Sequence, residues 1–214
     1  MRTYGDPCGI ARALDVIGER WALLVVRELL LGPKRFTDLR AGLPHLGPDI
    51  LSQRLRELES AGVIRRAQLP PPAGARVYEL TEWGRELEPV VLGLGRWGSQ
   101  VPFPENHEAL GVDAFMLALK TVYDPSRTDG LLGSTYEIRL AGQPFEARPT
   151  DRQLEVARGA PADPIATITA DPGALQEILW HGHRLEDALR AGELTIAGDR
   201  DAAERFLGLF PLPR

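Results

Sequence analysis

Asp49, Ser52, Gln53 and Arg56 lie along one face of a segment whose opposite face is Leu51, Leu55 and Leu58. The leucines stand at i, i+4 and i+7, the spacing of a buried helical stripe. A solvated helix usually pairs Glu with Lys on its outer face, and this one does not. Its carboxamide matches the N6/N7 edge of adenine, and its guanidinium suits guanine or a phosphate. The hydroxyl suits a phosphate oxygen, and the carboxylate can accept from cytosine N4, although it is awkward near phosphates. The competing reading is a solvated surface helix on a small helical domain.

Other residues with chemistry of their own are sparse. Cys8 directly precedes a helix expected from Gly9, and a helix N-terminus favours the reactive thiolate of a cysteine. It is a candidate reactive thiol, against the plainer reading of a packed or exposed thiol. Being the sole cysteine, it excludes an intrachain disulfide and a multi-cysteine zinc site. His181-Gly182-His183 lacks a completing ligand nearby, so no metal is expected. Residues 93–98, GLGRWG, fit G-x-G-x-x-G but follow no strand, which makes the match accidental. No nucleophile elbow is present, so no hydrolytic triad, enzyme activity or cofactor is expected.

The elements that must position the polar face follow from periodicity. A helix is expected over Gly9 to Ile17, with Ile10, Ala13, Leu14 and Ile17 on one face. A second, Arg20 to Leu31, is apolar nearly all round and should be the central buried helix, stopped by Gly32-Pro33. Thr37 is expected to cap a short helix through Leu43. Pro44 to Gly47 forms a turn, and Gly47 with Pro48 opens the leucine-striped helix, which Gly62 ends. Val63–Leu69 and Val77–Leu80 read as a hairpin with a Pro/Gly tip. Thr81 should cap a last helix through Trp97, kinked at Pro89, and Pro102 and Pro104 mark a linker. A short helix, a tight turn, a longer helix and a hairpin make a winged helix-turn-helix.

The second half changes character. A helix over Ala114–Tyr123 precedes four runs, 134–140, 143–148, 153–158 and 165–169, that read as an antiparallel meander. A helix begins at Asp171-Pro172, then come a short helix, the strand ELTIAG and a closing helix. The fold class is therefore α+β, with a winged helix-turn-helix at 1–101 and an antiparallel sheet covered by helices at 106–214.

Net charge is −5, but residues 1–104 hold 14 Lys/Arg against 12 Asp/Glu, whereas 105–214 hold 11 against 18. The asymmetry points to two modules with different partners. The acidic half disfavours both an anionic ligand and DNA contact there. No apolar run reaches about 18 residues, and the start, MRTYGDPCG, lacks a signal pattern. A cytoplasmic protein without membrane partners is expected.

With these residues on the page, a resemblance can be stated. LDVIGERW, GPKRFTDLR and LSQRLRELESAGVI, within residues 5–100, resemble the HxlR-type winged-helix regulators. The resemblance implies a homodimer on a near-palindromic operator of double-stranded DNA, two half-sites about 34 Å apart requiring a two-fold protein. It also implies that the cysteine before the first helix can sense oxidants or electrophiles. Gly47 and Asp49 depart from the family, where Ser or Thr and a basic or polar residue are usual. The expected DNA contacts are Lys34, Arg35, Asp49, Ser52, Gln53, Arg54, Arg56 and Arg76. Leu87, Val90, Val91, Leu94 and Trp97 form an apolar seam expected at the dimer interface, against packing within the subunit.

Residues 107–212 resemble a sterol-carrier-protein-like domain, most clearly at TITAD, at G-ELTI-GD and in the final amphipathic helix. The resemblance implies an apolar tunnel between sheet and helices. Candidate ligand-binding residues are Phe115, Leu119, Leu175, Leu179, Trp180, Leu189, Phe206 and Phe210, with Leu207, against a filled core. The reading that results is a transcriptional regulator whose second half senses an apolar small molecule. The alternatives are a hydrophobic-metabolite or lipid carrier whose helical half only dimerises, and a protein–protein module.

Overall fold

The fold was analysed in a computed structural model that describes residues 3–102 and 108–212. Pro104, expected in the linker, lies outside them. The chain divides into two compact units, Met1–Val91 and Leu92–Arg214.

The first unit holds α1 (Gly9–Ile17), α2 (Ala22–Leu29), α3 (Phe36–Gly42), α4 (Pro48–Ser60), β1 (Ile64–Gln68), β2 (Arg76–Leu80), α5 (Glu82–Arg85) and the start of α6 (Glu88–Gly98). Its core gathers Val25, Val26 and Leu29 of α2, Leu39 of α3, Leu51, Leu55 and Leu58 of α4, and Ile64 and Leu80 of the hairpin. The leucine stripe of α4 is thus the face by which that helix is anchored. α2 starts two residues later than its periodicity indicates, because Trp21 is left-handed at φ 79°. A bulky residue adopts that conformation only under tertiary constraint, and here the indole packs against the core of the first unit. In α1 only Ile17 is buried, whereas Ile10 and Leu14 are exposed.

Two further helix starts in the first unit differ from expectation. α3 begins at Phe36, with Thr37 already inside it, because the Asp38 carboxylate reaches back to accept the Arg35 N–H at 3.1 Å. Thr81 caps only the four residues of α5, its Oγ1 accepting from the Gly84 N–H at 3.0 Å. A second helix, α6, then begins at Glu88, because Pro89 fits a first helical turn and not a helix interior.

The second unit contains α7 (Val112–Val122), β3 (Tyr136–Leu140), β4 (Gln143–Pro149), β5 (Leu154–Arg158), β6 (Ala166–Ala170), α8 (Pro172–Trp180), α9 (Leu185–Ala191), β7 (Leu194–Gly198) and α10 (Arg200–Leu207). The five strands are ordered β5-β4-β3-β6-β7. The sheet is mixed: β6 runs parallel to β3, with Ile138 opposite Ile168, while the other pairs are antiparallel. A meander accounts for β3 to β5 only.

Candidate nucleic-acid interface

α4 presents its outer face as the sequence spacing requires. Asp49, Gln53 and Arg56 are exposed and Ser52 is half-buried. The Ser52 hydroxyl donates to the Pro48 carbonyl at 2.8 Å, inside its own helix. The Gln53 carboxamide donates from Nε2 to Glu57 Oε1 at 3.0 Å. Arg56 carries no ion pair among the described residues. Pro48 at the first helical position, after Gly47 in extended geometry, fixes where these side chains begin.

Arg54 is the correction on this helix. It was grouped with the DNA contacts, yet it is only 8% exposed. Its Nη1 lies 2.6 Å from Glu57 Oε2 and 3.5 Å from Glu19 Oε2. Position explains this: Arg54 is three residues after Leu51 and four before Leu58, so it falls on the buried side. It fastens α4 to the α1–α2 turn.

Lys34 is also engaged. Its Nζ meets Glu28 Oε2 at 2.5 Å, and Glu28 Oε1 accepts from Arg27 Nη2 at 2.7 Å. The Lys34 main chain exchanges two hydrogen bonds with Tyr78 of β2, at 2.9 and 2.8 Å. Lys34 therefore ties the wing to the helices, and that role is seen more directly than contact with a phosphate. Arg35 and Arg76 are exposed, at the head of α3 and at the tip end of the wing strands, where Arg76 stands opposite Gln68. The wing is held by Arg65 Nε donating to Glu79 Oε1 at 2.7 Å, and the Arg66 guanidinium lies 5.7 Å from the Tyr78 ring centre.

Glu28 and Glu57 were missed by sequence reasoning. A carboxylate inside the apolar run LLVVRELLL was a usable signal for the first, since burial there demands paired cations. Glu57 looked like an ordinary surface residue.

The apolar seam divides. Leu87 and Val91 pack on the first unit's core, as the competing intrasubunit reading holds, whereas Val90, Leu94 and Trp97 are exposed. Cys8 is exposed before α1, its N–H donating to Asp6 Oδ1 at 2.8 Å. GLGRWG lies within α6.

In the second unit, Phe115, Leu119, Leu175, Phe206 and Phe210 are buried, and Leu179, Trp180 and Leu189 half-buried. Leu207 is also buried. The rings pack on one another: Phe206 stacks on Tyr136 at 4.2 Å between centres and meets Phe210 edge-on at 5.1 Å, and Phe115 lies 5.4 Å from Trp180. The indole N–H of Trp180 donates to the Phe210 carbonyl at 3.1 Å. Burial pushes the Tyr136 hydroxyl pKa up from its ordinary value. His183 Nε2 lies 3.1 Å from Glu193 Oε2. Among the described residues no cluster of three His, Cys, Asp or Glu is placed to hold a metal.

A short helix, a turn, a leucine-anchored helix with an exposed polar face and an antiparallel wing define a winged helix-turn-helix protein. Comparison with known proteins places it further. The profile described as HxlR-like helix-turn-helix matches residues 16–105, and that of the SCP-2 sterol transfer family matches residues 116–211. The helix-turn-helix regulator YvaP of Bacillus subtilis is 37% identical over 89 residues, 42% of this chain and 82% of that one. YdeP of the same organism is 41% identical over 98 residues, 44% of this chain and 74% of that one. The solved redox regulator HypR in its oxidized form is 36% identical, with 45% of this chain and 100% of that one covered and a TM-score of 0.40. The ubiquinone synthesis protein UbiJ-SCP2 is 28% identical, with 43% of this chain and 73% of that one covered and a TM-score of 0.34. The chain belongs to the HxlR-like helix-turn-helix family of transcriptional regulators, with an SCP-2 domain following the helix-turn-helix domain. No helix among the described residues is long and apolar enough to cross a membrane.

Proposed function

We propose that this protein binds a near-palindromic operator as a homodimer, reading base edges through α4. The single observation that carries the reading is the two-sided character of that helix. Leu51, Leu55 and Leu58 are sealed in the core, while Asp49, Gln53 and Arg56 stand in solvent with Ser52 beside them. Arg35 and Arg76 flank the face as phosphate contacts, which set register without reading sequence. The dimer forms through the exposed apolar residues Ile10 and Leu14 of α1 and Val90, Leu94 and Trp97 of α6. The helix-turn-helix domain is taken as 1–101 and the SCP-2 domain as 106–214, in a cytoplasmic protein.

The SCP-2 domain binds an apolar small molecule between its sheet and α7, α8 and α10. Support comes from its aromatic interior and from the SCP-2 profile match. A ligand held more tightly by one state of the protein than the other shifts DNA affinity by that difference. Cys8, exposed in a chain similar to a redox regulator, is a second input, through oxidation of its thiol.

Retardation of the duplex upstream of the protein's own gene, with purified full chain, tests the DNA reading. A discrete shifted band resistant to excess unrelated duplex is expected, and its absence would leave the carrier reading standing. Mass spectrometry of an organic extract of the purified protein tests the ligand, and an extract matching a blank would remove it.

A further inference from the structure

Gln53 does not stand alone on the outer face of α4. Its Nε2 donates to Glu57 Oε1, one turn along the helix, at 3.0 Å. The other oxygen of that carboxylate lies 2.6 Å from Arg54 Nη1. Arg54 is buried, and its Nη1 also faces Glu19 Oε2 at 3.5 Å from the α1–α2 turn. One carboxylate is therefore shared between an interior cation and the amide exposed on the polar face. On an open helix surface an amide–carboxylate pair at i, i+4 is weak and free to rearrange. Here the Glu57 side chain is only 31% exposed and its other oxygen lies against a buried guanidinium, whose charge restrains the oxygen facing Gln53.

Resting on the reading of α4 as the base-contacting helix, we propose that Glu57 is a specificity-determining positioning residue that makes Gln53 select adenine. An ionised carboxylate only accepts hydrogen bonds, and a carboxamide carries two donor hydrogens and one acceptor oxygen. Glu57 takes one hydrogen and rejects the flipped amide, which would set oxygen against oxygen. Gln53 is left with one N–H and its carbonyl oxygen on offer, side by side. That pair matches adenine N7 and N6–H2, whereas guanine presents two acceptors. Each half-site accordingly carries adenine at the position Gln53 reaches.

The test is selection of random-sequence duplexes by the purified full chain, followed by sequencing. It is run on wild type, Gln53→Ala, Glu57→Ala and the double variant Arg54→Met/Glu57→Ala. The double variant removes the buried cation together with its partner, so no uncompensated charge is left to unfold the domain. Wild type is expected to enrich adenine at one position per half-site by about 5- to 150-fold, the span of a good bidentate contact. All three variants flatten that position, while preferences elsewhere in the motif persist. A different base at the position Gln53 controls overturns the role of Glu57 and leaves α4 as the reader. So does an adenine preference that Gln53→Ala erases and Glu57→Ala keeps, or a uniform loss at every position. A wild-type pool without a motif, or a motif that Gln53→Ala leaves unchanged, removes the reading of α4 and this inference with it.

Discussion

At the scale of residues, the helix-turn-helix unit is organised around charges that face inward. Glu28 is 2% exposed and collects Arg27 and Lys34. Gly42, the last residue of α3, leaves the room it needs, since a Cβ there would stand 2.2 Å from Glu28 Oε2. Gly42→Ala should therefore cost about 1–3 kcal/mol by overpacking. In a Glu28→Ala background the same change should be near neutral, because the pinned carboxylate is gone. Urea denaturation of the four proteins in this cycle checks the coupling, and equal costs in both backgrounds would disprove it. In the second unit, Asp124 lies below its ordinary 3.8 because the Ser126 hydroxyl and N–H hold its carboxylate, with Arg127 adding to both. Its contribution to stability is complete above about pH 4 and fades as pH falls through the lower folded value. Asp124 caps the short 3-10 turn Pro125–Arg127, so Asp124→Ala should lower the melting temperature at pH 7 by a few degrees, for a cap worth about 1 kcal/mol. The gap from wild type should close in strong acid, as scanning calorimetry at pH 7 and pH 2 would read.

At the scale of elements, the hydrophobic periods placed the helices and most strands, because period 3.6 and period 2 report which face is buried. They do not report which neighbour a strand takes. That is why β6 read as the next strand of a meander: Ile168 is inward in either arrangement, and only the chain's passage across the β4–β5 hairpin brings it beside β3. Arg54 was misplaced for a different reason. Its charge suggested solvent, but its register put it on the leucine face, and register prevailed once Glu57 and Glu19 supplied partners. The ion pair of Lys34 was not legible because its partner, Glu28, is six residues earlier on another element. The outer face of α4 was legible because Asp49, Gln53 and Arg56 obey the same register as the leucines. The break between α5 and α6 yields a further test. Gly84 in α5 sits against the Val63 carbonyl, which a Cβ would approach to 2.0 Å. Backbone cannot yield there as a side chain can, so Gly84→Ala should destabilise the first unit by about 3 kcal/mol, as urea denaturation would show. A near-neutral result would mean that α5 packs otherwise.

At the scale of the whole molecule, two features set expectations for assembly and partners. Ile10, Leu14, Val90, Leu94 and Trp97 are large apolar side chains left in solvent, Trp97 by 68% and Ile10 by 73%. In the homodimer proposed above, the partner copy covers these side chains. Leu94→Glu with Trp97→Ala should convert a dimer of about 47 kDa, twice the 23.5 kDa chain, to a monomer in light scattering. A monomeric wild type would contradict the account. The charge asymmetry is the second feature. The half that carries α4 holds the net positive charge, and the acidic half leaves duplex binding to it. A net of +2 over residues 1–104 is modest, so affinity must come from where Arg35, Arg56 and Arg76 stand more than from the total.

The central claim, that the polar face of α4 meets base edges, is tested most directly by fluorescence anisotropy on a labelled duplex recovered by selection, comparing wild type with Gln53→Ala/Arg56→Ala. Both side chains are exposed, so the double variant should melt within a degree or two of wild type. The account predicts that its affinity falls to that of an unrelated duplex. Unaltered affinity for the selected duplex, in a protein that remains folded and dimeric, would contradict it.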